Sequence, residues 1–250
     1  MPIADPEVLI DAAAVAEAVA VRLLQARQDH TDLPLGLATG RTMEPVYGAL
    51  VRRVQALPQP EQQVLRRRWC SFNLDEYVGL GPEDPGSFAA VMERQLGAPL
   101  GLERHRLQLP DGLASDPALE ANRYGDAVAA AGGLGLQLLG LGLNGHIGFN
   151  EPPCGAESRS RCVTLSASTR VQNAGAFGGG PEAVPERAIT LGLAEILAAR
   201  QILLVVTGAA KSAVLQRLLQ DPPGPQLPAS WLQLHPAVTL IVDRAAWGGG

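Results

Sequence analysis

Leu134-Gly135-Leu136-Gln137-Leu138-Leu139-Gly140-Leu141 is a near-continuous apolar run bounded by glycines, and it decides how the rest of the chain is read. A half-exposed strand alternates apolar and polar residues. This run does not, which is the pattern of a central parallel strand covered on both faces by helices. Just upstream, Ser115-Asp116-Pro117 opens a helix. It offers a capping side chain, then proline in the first turn, where the missing N–H costs nothing. That helix stops at Gly132-Gly133.

The same alternation continues in both directions. Towards the N-terminus the patterning predicts a helix over 12–25, a strand over 34–38, a helix over 42–55, a strand over 69–73 and a helix over 86–96. Towards the C-terminus it predicts a strand over 161–165, a helix from Ser168 and a further helix within 188–199. A strand over 201–206 and a helix over 210–220 follow, then a hard break at Asp221-Pro222-Pro223-Gly224-Pro225 and a closing strand over 238–242. There is no internal repeat, and no linker long enough to separate domains. The expected class is α/β, a doubly wound, mainly parallel sheet flanked by helices. One domain is expected over 1–250, with 248–250 frayed.

Composition bounds the partners. At 250 residues the chain can bury a substantial core. It is 46% hydrophobic but only 4% aromatic, so Leu, Ala and Val must fill that core. A net charge of −5 gives no electrostatic reason to expect nucleic acid or an anionic membrane as partner. The cluster Arg66-Arg67-Arg68 reads as a solvated helix end. No apolar run approaches the ~20 residues of a membrane span, and the acidic N-terminus lacks the positive start of a signal peptide. Three cysteines, odd in number and without a C-x-x-C pair, argue against a disulfide framework or a zinc site. The expected compartment is the cytoplasm.

In doubly wound sheets ligands bind beyond the carboxyl ends of the strands, and four such segments carry polar chemistry. In Leu35-Gly36-Leu37-Ala38-Thr39-Gly40-Arg41-Thr42, a strand runs through a small turn into a helix whose free N–H groups and dipole suit a phosphate. Thr39, Gly40, Arg41 and Thr42 are the candidate contacts, although alone they also read as an ordinary capped turn. Phe72-Asn73-Leu74-Asp75-Glu76-Tyr77 carries two adjacent acids that point in different directions. One can face a cleft and take a proton from carbon beside a carbonyl while the other is held structurally; a solvated turn is the plainer reading. In Leu143-Asn144-Gly145-His146-Ile147-Gly148-Phe149-Asn150-Glu151, glycines let backbone approach a ligand. There His146 stands among Asn144, Asn150 and Glu151, where a carboxylate can fix its tautomer. Finally, Lys211 in Val205-Val206-Thr207-Gly208-Ala209-Ala210-Lys211 opens a helix, where a cation is unfavourable unless an anion binds.

Taken together, LGLATGRT, FNLDEYVGL, LLGLGLNGHIGFNEP, TRVQN, VPERAITLGLAEIL, VTGAAKS and LQLHPAVTLIVD resemble the glucosamine-6-phosphate deaminase family, collinearly over 35–246. FNLDEYVGL and NGHIGFNEP are the specific motifs; the related 6-phosphogluconolactonases share the fold but differ in both. The resemblance implies conversion of glucosamine 6-phosphate to fructose 6-phosphate and ammonia, with no metal or organic cofactor. By position, Asp75 resembles the base that moves a proton between C2 and C1. His146 resembles the group that opens the sugar ring, with Asn144 and Glu151 orienting it. Residues 39–42, Gly145 and Lys211 resemble substrate contacts.

Four features depart from the family pattern. Asn144 stands where many members have Asp. Gly175 stands where an arginine usually grips phosphate from a mobile lid. Arg41 stands where Gly or Ser is usual, so Arg41 is expected to replace the lost arginine. Asp84-Pro85 replaces His-Pro. The segment that extends hexameric members beyond the last strand is not matched here, so a monomer or small homo-oligomer is expected. The expected partner is a small-molecule amino-sugar phosphate. Lactone hydrolysis and a non-catalytic sugar-phosphate sensor are the alternatives.

Overall fold

The computed structural model describes residues 3, 5–28 and 33–248. The expected fraying of Gly249 and Gly250 lies outside the described residues, whereas Gly248 closes the last helix with φ 89°. In chain order the first elements are β1 (Glu7–Leu9), α1 (Ala12–Gln28), β2 (Leu35–Leu37), α2 (Met43–Gln55), α3 (Gln59–Arg68), β3 (Ser71–Asn73) and β4 (Asp75–Tyr77). Next come α4 (Phe88–Met92), α5 (Ala98–Leu100), β5 (Leu107–Gln108), α6 (Pro117–Ala130), β6 (Leu136–Gly140), β7 (Arg161–Thr164) and α7 (Ala167–Asn173). The chain closes with β8 (Arg187–Thr190), α8 (Leu193–Leu197), β9 (Gln201–Val206), α9 (Ser212–Gln220), β10 (Val238–Asp243) and α10 (Arg244–Trp247).

Seven strands form one sheet in the order β1-β10-β9-β6-β2-β3-β5. Every neighbouring pair in it is parallel. The apolar run that predicted a doubly covered strand is β6, at the middle of this order, with Leu138 and Leu139 fully buried. Its one polar residue, Gln137, is fully buried too and donates from Nε2 to the Leu138 carbonyl at 2.7 Å. Its side chain fills the space beside Gly36 on β2, where a Cβ would lie 2.1 Å from Gln137 Oε1. Hence β2 reads Leu-Gly-Leu.

From β2 the chain winds outward through β3 to β5, then returns to the other side of β2 and winds through β6, β9 and β10. The direction reverses between β2 and β6, and a crevice opens at such a switch point. A second sheet, ordered β4-β8-β7 and antiparallel, stands at the carboxyl ends of the first. Only Leu74 separates β3 from β4. Its N–H donates to the Leu37 carbonyl at 2.8 Å and its carbonyl accepts from Leu191 N–H at 2.7 Å, so one residue joins the two sheets.

Several predicted elements end differently. The helix predicted over 86–96 begins at Phe88, where Ser87 Oγ accepts from Ala90 N–H at 3.0 Å, and widens to a π-helix over Glu93–Gly97. Asp84 supports that start by accepting from Gly86 N–H at 2.8 Å, so replacing His-Pro by Asp-Pro leaves the helix capped. The 69–73 strand is confined to Ser71–Asn73, and the helix expected within 188–199 is confined to α8, preceded by the strand β8 (Arg187–Thr190). The main core is aliphatic, as composition requires. A second, smaller cluster is aromatic: Tyr77 packs on Phe88, Phe149 and Phe177 at ring distances of 4.8, 5.4 and 5.3 Å, beneath the segment that follows β7.

Candidate active site

The four polar segments follow β9, β6, β2 and β3, four consecutive strands of the large sheet. They therefore converge on the switch-point crevice. The turn after β2 is shaped by Gly40, whose φ of 130° is one that a side chain resists. Its carbonyl accepts from Met43 N–H at 2.9 Å and Glu44 N–H at 3.3 Å, which starts α2. Thr42 is the N-cap but makes no side-chain capping bond, so its hydroxyl is not spent on the helix. Thr39 Oγ1 is shielded and has no hydrogen-bond partner among the described residues. Arg41 is exposed. Across the crevice Lys211 is the N-cap of α9. Burial and the nearby Arg41 guanidinium both lower its pKa. The Arg41 and Lys211 cations thus lie close enough to influence each other at the starts of two helices, an arrangement suited to an anion.

β4 sends its two acids to opposite faces, as strand geometry requires. Glu76 faces α4, accepting from Tyr77 N–H at 2.8 Å, Phe88 N–H at 2.9 Å and Ala89 N–H at 2.7 Å. It caps that helix, and burial raises its pKa to about 7 despite the three donors. A cavity of about 210 Å³ lies on this side of Glu76, lined also by Arg104, Asp111 and Leu80, away from the histidine loop. Asp75 faces the other way, 5% exposed, with no hydrogen-bond partner among the described residues. A Cβ on Gly148 would lie 3.4 Å from Asp75 Oδ2, so glycine there lets the loop after β6 close over the carboxylate. Burial, with the Glu76 charge second, raises the pKa of Asp75 to about 8.

In that loop the His146 ring lies over Gly142, where a Cβ would come within 2.3 Å of Nδ1. Asn144 Oδ1 is 2.6 Å from His146 Nδ1 and accepts from His146 N–H at 3.2 Å. Asn144 Nδ2 donates to Glu151 Oε1 at 3.4 Å. Burial lowers the His146 pKa to about 4, opposed by the Glu151 carboxylate and reinforced by Lys211. Burial alone would raise Glu151, but hydrogen bonds from Ser166 and Thr169 outweigh it and hold the carboxyl below its usual range. The loop is pinned from beneath by the Gly145 carbonyl, which accepts from Ala229 N–H at 2.9 Å.

Asn150 does not join this group. It is fully buried, donating to the Ile147 and Leu191 carbonyls and accepting from Arg161 Nη1 at 2.8 Å. It shapes the loop rather than facing the crevice, a correction to the expectation that it stands with His146. Gly175 lies in a 3-10 turn (Ala174–Phe177), with open space where a side chain would begin. Ser166 and Thr169 were missed in sequence. Their only signal is that Ser166 caps the helix carrying the TRVQN motif and that Thr169 is the first residue of that motif. Among the described residues no group of three or more His, Cys, Asp and Glu is arranged to hold a metal ion.

The chain belongs to the family of glucosamine-6-phosphate isomerases and 6-phosphogluconolactonase, whose sequence profile matches residues 5–241. Its curated relatives include the glucosamine-6-phosphate deaminase of Rhodopirellula baltica, 46% identical over 85% of this chain and 82% of that protein. That of Streptomyces coelicolor is 41% identical over 94% of this chain and 88% of the relative. The solved structure of a monomeric glucosamine-6-phosphate deaminase superposes with TM-score 0.90 at 35% identity, covering 98% of this chain and all of that one. A Trypanosoma cruzi 6-phosphogluconolactonase superposes with TM-score 0.76 at 19% identity, over 98% of this chain and 97% of its own, a likeness of fold alone.

Proposed function

We propose that the protein is a glucosamine-6-phosphate deaminase, converting glucosamine 6-phosphate and water to fructose 6-phosphate and ammonia. One observation carries the reading: an unpartnered buried carboxylate, a histidine array and a cationic turn follow consecutive strand ends around one crevice. The deaminase relatives at 41–46% identity support it independently.

The chemistry runs in three stages. With Nδ1 facing Asn144 Oδ1, the neutral His146 ring offers Nε2 to the substrate. It takes the proton of the C1 hydroxyl and returns one to the ring oxygen, and the sugar opens to an aldehyde. A pKa of about 4 keeps the imidazole neutral at physiological pH, as a group that must first accept a proton requires. Asp75 then takes the C2 proton while the substrate's C2 ammonium gives up one proton to the C1 oxygen, leaving a neutral enolamine; Asp75 delivers its proton to C1, giving a protonated ketimine. Water adds at C2 and ammonia leaves. The raised pKa of Asp75 makes its carboxylate a stronger base than an exposed one. Thr39, Gly40, Arg41, Thr42 and Lys211 hold the phosphate, with Arg41 supplying the charge that Gly175 lacks. The loop at Gly145 lines the sugar.

We further assign the working form as a monomer, on the likeness to the monomeric deaminase, and sedimentation as a larger assembly contradicts that. The cytoplasm is the proposed compartment, supported by three free thiols and by the lack of any described helix long and apolar enough to cross a membrane. The activity is tested by offering glucosamine 6-phosphate, galactosamine 6-phosphate and 6-phosphogluconolactone in parallel. Ammonia release from the first is expected. Turnover of the lactone alone contradicts the assignment.

A further inference from the structure

We propose that Ser166 and Thr169 are positioning residues for ring opening: by fixing the Glu151 carboxylate they set the amide orientation of Asn144 and, through it, the tautomer of His146. This rests on the reading of His146 as the ring-opening group. An aspartate at position 144 would present an oxygen whichever way it turned. An asparagine has one carbonyl and one amide end, and a flip exchanges an acceptor for a donor at the same place. Something must therefore hold it.

Two groups of unambiguous character do so. The His146 backbone N–H can only donate, and it donates to Asn144 at 3.2 Å, so the atom there is oxygen. The ionised Glu151 carboxylate can only accept, and it lies 3.4 Å from the other end, so the atom there is the amide nitrogen. Oδ1, 2.6 Å from Nδ1, then requires the ring hydrogen on Nδ1 and leaves Nε2 bare. Among the described residues Nε2 has no protein partner.

Glu151 can serve only while ionised and held in place. Ser166 Oγ donates to Oε1 at 2.5 Å, Thr169 Oγ1 donates to the same oxygen, and Ser166 N–H donates to Oε2 at 2.9 Å. These are the donors that keep its pKa low against burial. Thr169 is itself 2% exposed, so its hydroxyl has no solvent to turn to. Ser166 has a second task, accepting from Thr169 N–H at 3.2 Å as the cap of α7. Thr169 is therefore the cleaner position to test.

The experiment reads nitrogen-15 shifts of the His146 imidazole in the wild-type protein, assigned by comparison with His146→Gln, alongside steady-state turnover of Thr169→Val. The expected wild-type signal is a neutral ring protonated at Nδ1. Thr169→Val is expected to give a mixed tautomer signal and about a 10-fold fall in kcat with KM within about 2-fold, while Thr169→Ser restores both. An Nε2-protonated wild-type ring overturns the proposal without any variant. So does a Thr169→Val enzyme with full kcat, or one altered only in KM. If wild type releases no ammonia, the activity assignment falls and the tautomer measurement still decides the relay.

Discussion

On the proposed reading, Asp75 gathers most of the site's chemistry into one side chain. It has no hydrogen-bond partner among the described residues, lies against Gly148, and titrates near 8 because burial and the Glu76 charge disfavour ionisation. A carboxyl whose folded pKa exceeds its unfolded value of 3.8 favours the folded state fully below about pH 4, and that contribution is lost as pH rises through 8. Glu76, raised to about 7, adds in the same direction. Denaturant midpoints are therefore expected to fall between pH 4 and 8 in the wild type and to fall less in Asp75→Asn; a wild-type midpoint that rises over this range contradicts the assignment. If Asp75 is the base, it must be ionised to act, and kcat/KM of the wild type is expected to climb with pH until about 8. At the other end of the crevice, removing the Arg41 guanidinium would take away the charge-assisted contact proposed for the phosphate. Arg41→Ala is expected to raise KM about 10- to 100-fold with little change in kcat, as the loss of about 1.5–3 kcal/mol of binding requires. An unchanged KM means that Arg41 does not replace the arginine missing at Gly175.

Among the elements, the loop after β6 depends on glycine in a way that can be tested apart from stability. A methyl group on Gly142 would come within 2.3 Å of the His146 ring, so Gly142→Ala must displace the imidazole. A fall of about 100-fold in kcat is expected from a shift near 1 Å, with the urea midpoint nearly unchanged. Full activity would mean that the ring position is not critical. This scale is also where sequence patterning was least informative. β4, β5 and β8 have only two to four residues each, too short to show a period. β4 pairs with residues 188–190, more than a hundred positions away, so nothing local announces it. The reading of Asp75 and Glu76 as neighbours pointing apart nevertheless held, because it depends on backbone geometry rather than on finding the sheet. Asn150 went the other way. A polar residue beside a histidine reads as a site residue until the buried carbonyls that it satisfies are visible.

At the scale of the molecule, the apolar run of β6 was enough to predict a parallel, doubly wound sheet, since only burial on both faces explains it. The strand order could not be read, yet it supplies the central fact that β9, β6, β2 and β3 are consecutive. Their ends therefore meet without any single segment announcing a site. On the proposed reading the anion contacts come from separate strand ends, so a bound sugar phosphate would tie the two halves of the sheet together. At 100 times its Kd such a ligand adds about 2.7 kcal/mol, which for a chain of this size is a rise of roughly 5–10 °C in Tm. The rise is expected to shrink in Lys211→Ala and Arg41→Ala; an equal rise in both would remove the phosphate end from the account.

The most direct test follows the products of glucosamine 6-phosphate with wild type and Asp75→Asn side by side, both verified as folded. The account predicts ammonia and fructose 6-phosphate in equal amounts from the wild type, and turnover at least about 100-fold slower from Asp75→Asn. Undiminished turnover by Asp75→Asn, or no ammonia from the wild type, would contradict it.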